Sequence, residues 1–138
     1  MRDSFLKFVV THKKETPNKV VMEAFQSRFI NARNVEWTKE TENYEAIFSE
    51  DGFEKISKID FQGNIIEVRT NIKPETLVTP VVDKLKKHGI IMNAIHIDNK
   101  LFGESFEFII KDNWKVRHLF ITDREGNVCS HSNFDDLV

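Results

Sequence analysis

The sequence is poor in the residues that staple a chain or cradle a cofactor. A single cysteine, Cys129, in 138 residues excludes an intramolecular disulfide framework and leaves the redox compartment open, with a buried thiol as its expected state. The five glycines, Gly52, Gly63, Gly89, Gly103 and Gly126, stand isolated, so there is no glycine-rich phosphate loop and each reads as a turn or cap residue. Neither sign of charge dominates. Twenty basic against 22 acidic residues give a net charge of -2 and a pI near 6.2, which provides no global field for nucleic acid or an anionic membrane. The short basic steps Lys13-Lys14 and Lys84-Lys86-Lys87 are offset by nearby acids and lack the aromatic interleaving of a nucleic-acid groove. No apolar run approaches the ~20 residues of a membrane span. The run Phe5-Leu6-Lys7-Phe8-Val9-Val10 is too short and interrupted for a signal-peptide core and has no small-residue cleavage site after it. What is abundant is phenylalanine: 12 Phe stand against two Trp and one Tyr, an aromatic content suited to filling cores.

The length fits one compact unit or two small lobes, of which a single compact domain over residues 1–138 is the expectation, and self-similarity suggests an internal organisation. Phe25 to Leu85, Val35 to Ile95 and Trp37 to Ile97 are each 60 positions apart, Tyr44 to Phe106 is 62, and Asp60 to Asp123 and Gly63 to Gly126 are 63. Two Asp-x-x-Gly-Asn turns, Asp60 to Asn64 and Asp123 to Asn127, each follow a strand-like run. The expectation is therefore two internal repeats, about residues 15–72 and 73–134.

Local patterns supply the elements. Thr16 and Pro17 read as the cap and first position of a helix whose apolar stripe is Val21, Phe25 and Phe29. Val78, Val81, Val82 and Leu85 have helical spacing, and Gly89 after Lys86-Lys87-His88 is a stop signal. Pro80 either opens this second helix or kinks one begun near Pro74. Tyr44, Ala46 and Phe48 alternate with Asn43 and Glu45, and Phe106, Phe108 and Ile110 with Ser105 and Glu107; Ile47 and Ile109 are the exceptions. Further strands are expected around 35–37, 53–61, 65–70, 95–98, 115–122 and 128–132. The fold class that follows is α+β: two tandem copies of a helix followed by an antiparallel meander, with the helices on one face of the sheet or sheets.

The pattern Phe25-x-x-x-Phe29-x-x-Ala32-x-Asn34-Val35-Glu36-Trp37, then Asn43-Tyr44-Glu45-Ala46-x-Phe48, then Asp60-x-x-Gly63-Asn64-Ile65-x-Glu67 resembles the PepSY-like group of beta-lactamase-inhibitor-like proteins, small exported proteins of Bacteroidetes-type bacteria. The likeness covers about residues 17–132. It implies the tandem helix-plus-sheet fold, no catalytic machinery, and a role in binding proteins or ligands in the periplasm or beyond. The group's name records a fold likeness and does not establish inhibition of any enzyme. The sequence departs from the pattern at Gly89-Ile90-Ile91, where the second copy lacks an aromatic-Pro step, and in showing no export signal.

Candidate chemistry is sparse. His12 lies in a polar lead-in, His88 at a helix end, and His96, His118 and His131 on separate strands. No HxxxH or HxH spacing supports zinc, so neither metal nor cofactor is expected. Cys129 and His131 are two apart on one strand, sharing a face without an orienting third group, and there is no Gly-x-Ser-x-Gly elbow. The carboxylates Glu40, Glu42, Glu45, Glu50, Asp51 and Glu54 read as solvated hairpin decoration, because acid–base work needs a sheltered pair. The chain is accordingly expected not to be an enzyme. The rival readings are a metal-dependent or Cys/His hydrolase using His96, His118, Cys129 and His131, and a small-molecule sensor with a closed pocket between helix and sheet.

Binding is the class that remains. The strand Val116 to Ile121 is apolar on both faces, Val116 and Phe120 one way and Leu119 and Ile121 the other, so one face can pack on a helix while the other must meet something else. Trp37, Tyr44, Trp114 and Phe120 are the candidate anchors for a protein partner; burial of Trp37 and Trp114 in the core is the competing expectation.

Overall fold

The computed structural model describes residues 13–137; the apolar run Phe5 to Val10 and His12 lie outside the described residues. In chain order the elements are β1 (Lys13–Lys14), α1 (Lys19–Arg28), β2 (Arg33–Lys39), β3 (Asn43–Glu50), β4 (Phe53–Asp60), β5 (Ile65–Ile72), α2 (Thr79–Leu85), β6 (Ile90–Asn99), β7 (Gly103–Lys111), β8 (Arg117–Asp123) and β9 (Val128–Asn133). Short 3₁₀ turns cover Pro74–Thr76, Lys86–His88 and Phe134–Leu137. The expected architecture of two tandem helix-plus-meander copies is not what the chain builds. Among the described residues the strands follow one another in chain order in one antiparallel sheet, and only two short helices, of 10 and 7 residues, accompany it. Alternation told which residues share a strand face; it carries no information on which strand edges bond, and strand pairing decides the architecture.

The chain divides into two compact units, one reaching to Thr70 and including Asn99–Phe102, the other comprising Asn71–Asp98 and the chain from Gly103. In the first, Asn18 rather than Thr16 caps α1: its side-chain oxygen accepts from Val21 N at 2.9 Å, and Pro17 precedes the helix. Val21 and Phe25 then fall on the buried stripe, with Phe29 at the C-cap. They pack on Tyr44, Ala46 and Phe48 of β3, Ile59 of β4 and Val68 of β5. Phe25 and Phe48 meet edge to face with centroids 4.9 Å apart, and Phe29 and Phe48 at 4.8 Å. Each ring buried this way contributes about 2–3 kcal/mol.

Because Tyr44, Ala46 and Phe48 face α1, the alternate residues of β3 leave by the opposite face. That face is not uniformly solvated. Glu45 is 1% exposed and Thr38, its neighbour across β2 and β3, 2%. Glu50, which by the same alternation lies on the helix-facing side of β3, is also buried and pairs with Lys55 Nζ at 2.9 Å. Solvated decoration therefore holds for neither Glu45 nor Glu50: Ile47 lies on the same face of β3 as Glu45, which marks that face as partly apolar.

In the second unit α2 begins at Thr79 with Pro80 in its first turn, so Pro80 opens the helix rather than kinking a longer one. It tightens into the 3₁₀ turn Lys86–His88 and stops at Gly89, whose φ is 141°. A Cβ there would collide with the Lys111 carbonyl oxygen. Val81 and Leu85 pack on Ala94, Phe108, Ile110 and Phe120. Register places Phe108 opposite Phe120 and Ile110 opposite His118 on β7 and β8, and Phe120 opposite His131 on β9. The second face of β8 is lined by Leu119 and Ile121, half-buried, opposite the buried Ile109 and the half-buried Glu107.

Candidate functional site

The hairpin joining β7 to β8 is written Lys111-Asp112-Asn113-Trp114-Lys115-Val116. Its geometry is set by one carboxylate. Asp112 Oδ1 accepts from Trp114 N at 2.8 Å and from Val116 N at 3.0 Å, an Asx-type turn, while Lys115 occupies the left-handed region at φ 63°. The other oxygen, Oδ2, accepts from His118 Nε2 at 2.8 Å. These bonds, that from His118 first, hold the Asp112 carboxyl below its ordinary range. Trp114 stands at the tip, 86% exposed. A large apolar ring with a polar N–H, displayed on backbone already fixed by hydrogen bonds, loses little conformational entropy when it docks.

Behind the turn lies an imidazole chain. A carboxylate can only accept, so His118 Nε2 carries the proton facing Asp112. His118 Nδ1 then meets His131 Nε2 at 2.9 Å. The His131 ring stacks on Phe120 at 4.2 Å with an interplanar angle of 9°, and His88 packs on Phe120 at 4.6 Å. Burial, then the charge of Lys87, then His131 and His118 push the His88 imidazole below its ordinary pKa. Sequence spacing did not reveal this grouping, because the turn and the β8–β9 register, not a motif, bring Asp112, His118 and His131 together.

The four residues expected as anchors occupy different environments. Tyr44 is 5% and Phe120 2% exposed, each within a hydrophobic core. Trp37 is half-buried, edge-on to Phe25 at 4.9 Å, and helps to line an open groove of about 290 Å³ along α1 with Met22, Gln26 and Val35. Only Trp114 of the four is presented to solvent in full. A comparable display was missed: Leu101 and Phe102, at the β6–β7 tip, are 81% and 87% exposed, and Asn99 Oδ1 accepts from both of their N–H groups at 2.9 and 3.0 Å. The signal was the pair of apolar residues between Asn99-Lys100 and Gly103, a stretch whose turn chemistry otherwise calls for polar residues.

The residues of the hydrolase reading separate. His96 Nε2 meets Glu104 Oε1 at 3.1 Å, away from the His118 and His131 pair. Cys129 is exposed rather than buried, and its thiol donates to the Asn127 carbonyl at 3.6 Å. Cys129 lies on β9, the last strand of the sheet order, whose residues are nearly all exposed, and falls at an irregularity where Ile121 pairs with Ser130 but Thr122 with Val128. Among the described residues no group of three or more His, Cys, Asp or Glu side chains could hold a metal ion. Among them too, no helix is long and apolar enough to cross a membrane.

The fold is found again in solved structures. A candidate periplasmic protein of Bacteroides eggerthii superposes with a TM-score of 0.78 at 13% identity, over 88% of this chain and 92% of that one. A BLIP-like protein of Bacteroides fragilis gives 0.75 at 14% identity, over 87% and 88% of the two chains. The fold is shared with BLIP-like proteins. A DUF2874 family protein of Bacteroides ovatus gives 0.77 at 17% identity, over 88% of this chain and 91% of the other. These likenesses bear on the inhibitor-like half of the expected resemblance; none of the three carries the PepSY name, and nothing in them supports an internal duplication. No family model matches the sequence, and no curated protein matches it.

Proposed function

We propose that the chain is a non-enzymatic binding module acting outside the cytoplasm, and that it meets a protein partner through the Trp114 turn. The observation that carries the reading is the 86% exposure of Trp114 on backbone fixed by Asp112. Aromatic anchors of this kind dominate the energetics of protein interfaces. The BLIP-like fold and the candidate periplasmic neighbour support the class and the compartment, and the Phe25 to Trp37 and Asp60 to Glu67 patterns are the basis for reading the chain as PepSY-like. The separate pairing of His96 with Glu104, apart from the His118–His131 contact, and the exposed Cys129 weigh against the hydrolase reading.

The test is retention on immobilised protein from a bacterial envelope fraction. The wild-type chain is expected to retain a discrete partner, and Trp114→Ala to weaken that retention about thirtyfold, the scale of a ~2 kcal/mol hot spot, with an unchanged circular dichroism spectrum. Equal retention by the variant would overturn the reading.

A further inference from the structure

We infer that the groove between the end of α2 and the β8–β9 hairpin is a binding site for an anionic group, a phosphate or a carboxylate, whose affinity is linked to uptake of one proton by the Asp112–His118–His131 chain. The groove has a volume of about 440 Å³ and is lined by Lys84, Lys87, His88, Phe120, Asn127 and His131, with Gly126 and Val128 at its side. No carboxylate contributes to this lining. Lys84 Nζ is held by neutral acceptors, the Glu125 carbonyl at 3.1 Å and Asn127 Oδ1 at 3.0 Å, so it is positioned without being neutralised by a direct ion pair. The nearest acids are engaged elsewhere: Asp123 holds Asn127 with Oδ2 and backbone N–H groups with Oδ1, and Asp83 pairs with Lys86. Two cations and two imidazoles around a space of this size favour an anion over a cation.

The proton linkage follows from the donor and acceptor roles. With both imidazoles neutral, His118 gives its Nε2 proton to Asp112 and accepts at Nδ1 from His131 Nε2, so His131 Nδ1 is an acceptor. One added proton makes His118 a double donor, to Asp112 and to His131 Nε2. His131 must then carry its own proton on Nδ1. The ring lining the groove changes from acceptor to donor, and the chain gains a positive charge beside the groove. The charged and titratable groups around this chain are Lys84, Lys87 and His88 from α2 and its 3₁₀ turn, Asp112 from the β7–β8 turn, Arg117 beside His118 on β8 with its partner Asp135 after β9, and Asp123 beyond Asn127. An anion and the proton therefore favour each other's binding.

The experiment is titration of the full chain with inorganic phosphate and, separately, acetate, at constant ionic strength against chloride, followed by NMR of the histidine ring and Lys87 side-chain resonances. Saturable shifts are expected at His131, His88 and Lys87, with affinity about tenfold higher near about pH 6 than near about pH 8; the tighter of the two anions identifies the source. Lys87→Ala, an exposed substitution that leaves the core intact, and His131→Gln are each expected to weaken binding about fivefold, and His131→Gln to abolish the pH dependence. Trp114→Ala should leave anion binding unchanged, which separates this site from the partner-binding turn. Shifts that chloride reproduces, or undiminished binding by both variants, would overturn the inference.

Discussion

Glu45 sits on β3 between Tyr44 and Ala46, both core residues, and its own side chain leaves by the other face, where it is nonetheless 1% exposed. Burial first, and the neighbouring Glu40 next, push its carboxyl from 4.5 to about 8; Lys58, at 3.7 Å, pulls the other way without reversing the shift. The folded chain keeps a proton that the unfolded chain gives up, so the contribution of Glu45 to stability is most favourable below 4.5, falls as pH rises towards about 8, and levels off above. Urea midpoints measured at the two ends of that window should differ in the wild type and converge in Glu45→Gln; an unchanged difference in the variant would show that another group is responsible. Gly89 offers a second residue-scale test. Its φ of 141° and the Lys111 carbonyl beside it should make Gly89→Ala cost about 2 kcal/mol or more. Gly52→Ala, with nothing near its Cβ position and only a φ of 87° to strain, should cost about 1 kcal/mol. Neither burial of Glu45 nor crowding at Gly89 is written locally: one depends on what covers a sheet face, the other on where Lys111 returns.

At the scale of elements, strand positions were largely legible because side-chain alternation and turn chemistry are local. The windows around 35–37, 53–61, 65–70 and 128–132 correspond to β2, β4, β5 and β9. The turns rest on one repeated device, an aspartate whose Oδ1 accepts two backbone N–H groups: Asp60 from Gln62 and Asn64, Asp112 from Trp114 and Val116, Asp123 from Glu125 and Asn127. The helix start differs from the expectation because Thr16 and Asn18, both able to cap, flank Pro17, and only the Asn18 bond to Val21 distinguishes between them. Asn18 also donates to the Phe61 carbonyl at 3.2 Å, tying the helix start to the end of β4. Asn18→Ala should therefore destabilise by about 1 kcal/mol, and Thr16→Ala by much less, as read from thermal melts of the two variants.

For the molecule as a whole, part of the phenylalanine excess goes to the two cores, Phe25, Phe29 and Phe48 in one and Phe108 and Phe120 in the other, with Phe61 and Phe106 packed against them, while Phe53 and Phe102 are exposed. The sequence showed that bulky rings fill small cores, but not the sheet that the strands form, since edge pairing is nonlocal. The candidate site was legible in part. Trp114 stood out as one of two Trp in a Phe-rich chain, whereas the carboxylate that fixes its turn and the histidines behind it are united only by the folded register. Tryptophan fluorescence reports this division directly. Acrylamide should quench the wild type in two classes, Trp114 readily and Trp37 slowly, and Trp114→Phe should leave only the slow class; two slow classes would contradict the exposed turn.

The most direct test of a partner at the Trp114 turn is photo-crosslinking in an envelope preparation, with a benzophenone amino acid placed at position 114 or, as an exposed control on α1, at Gln26. A discrete adduct from position 114 and none from position 26 is the predicted result; no adduct, or the same adducts from both positions, would contradict it.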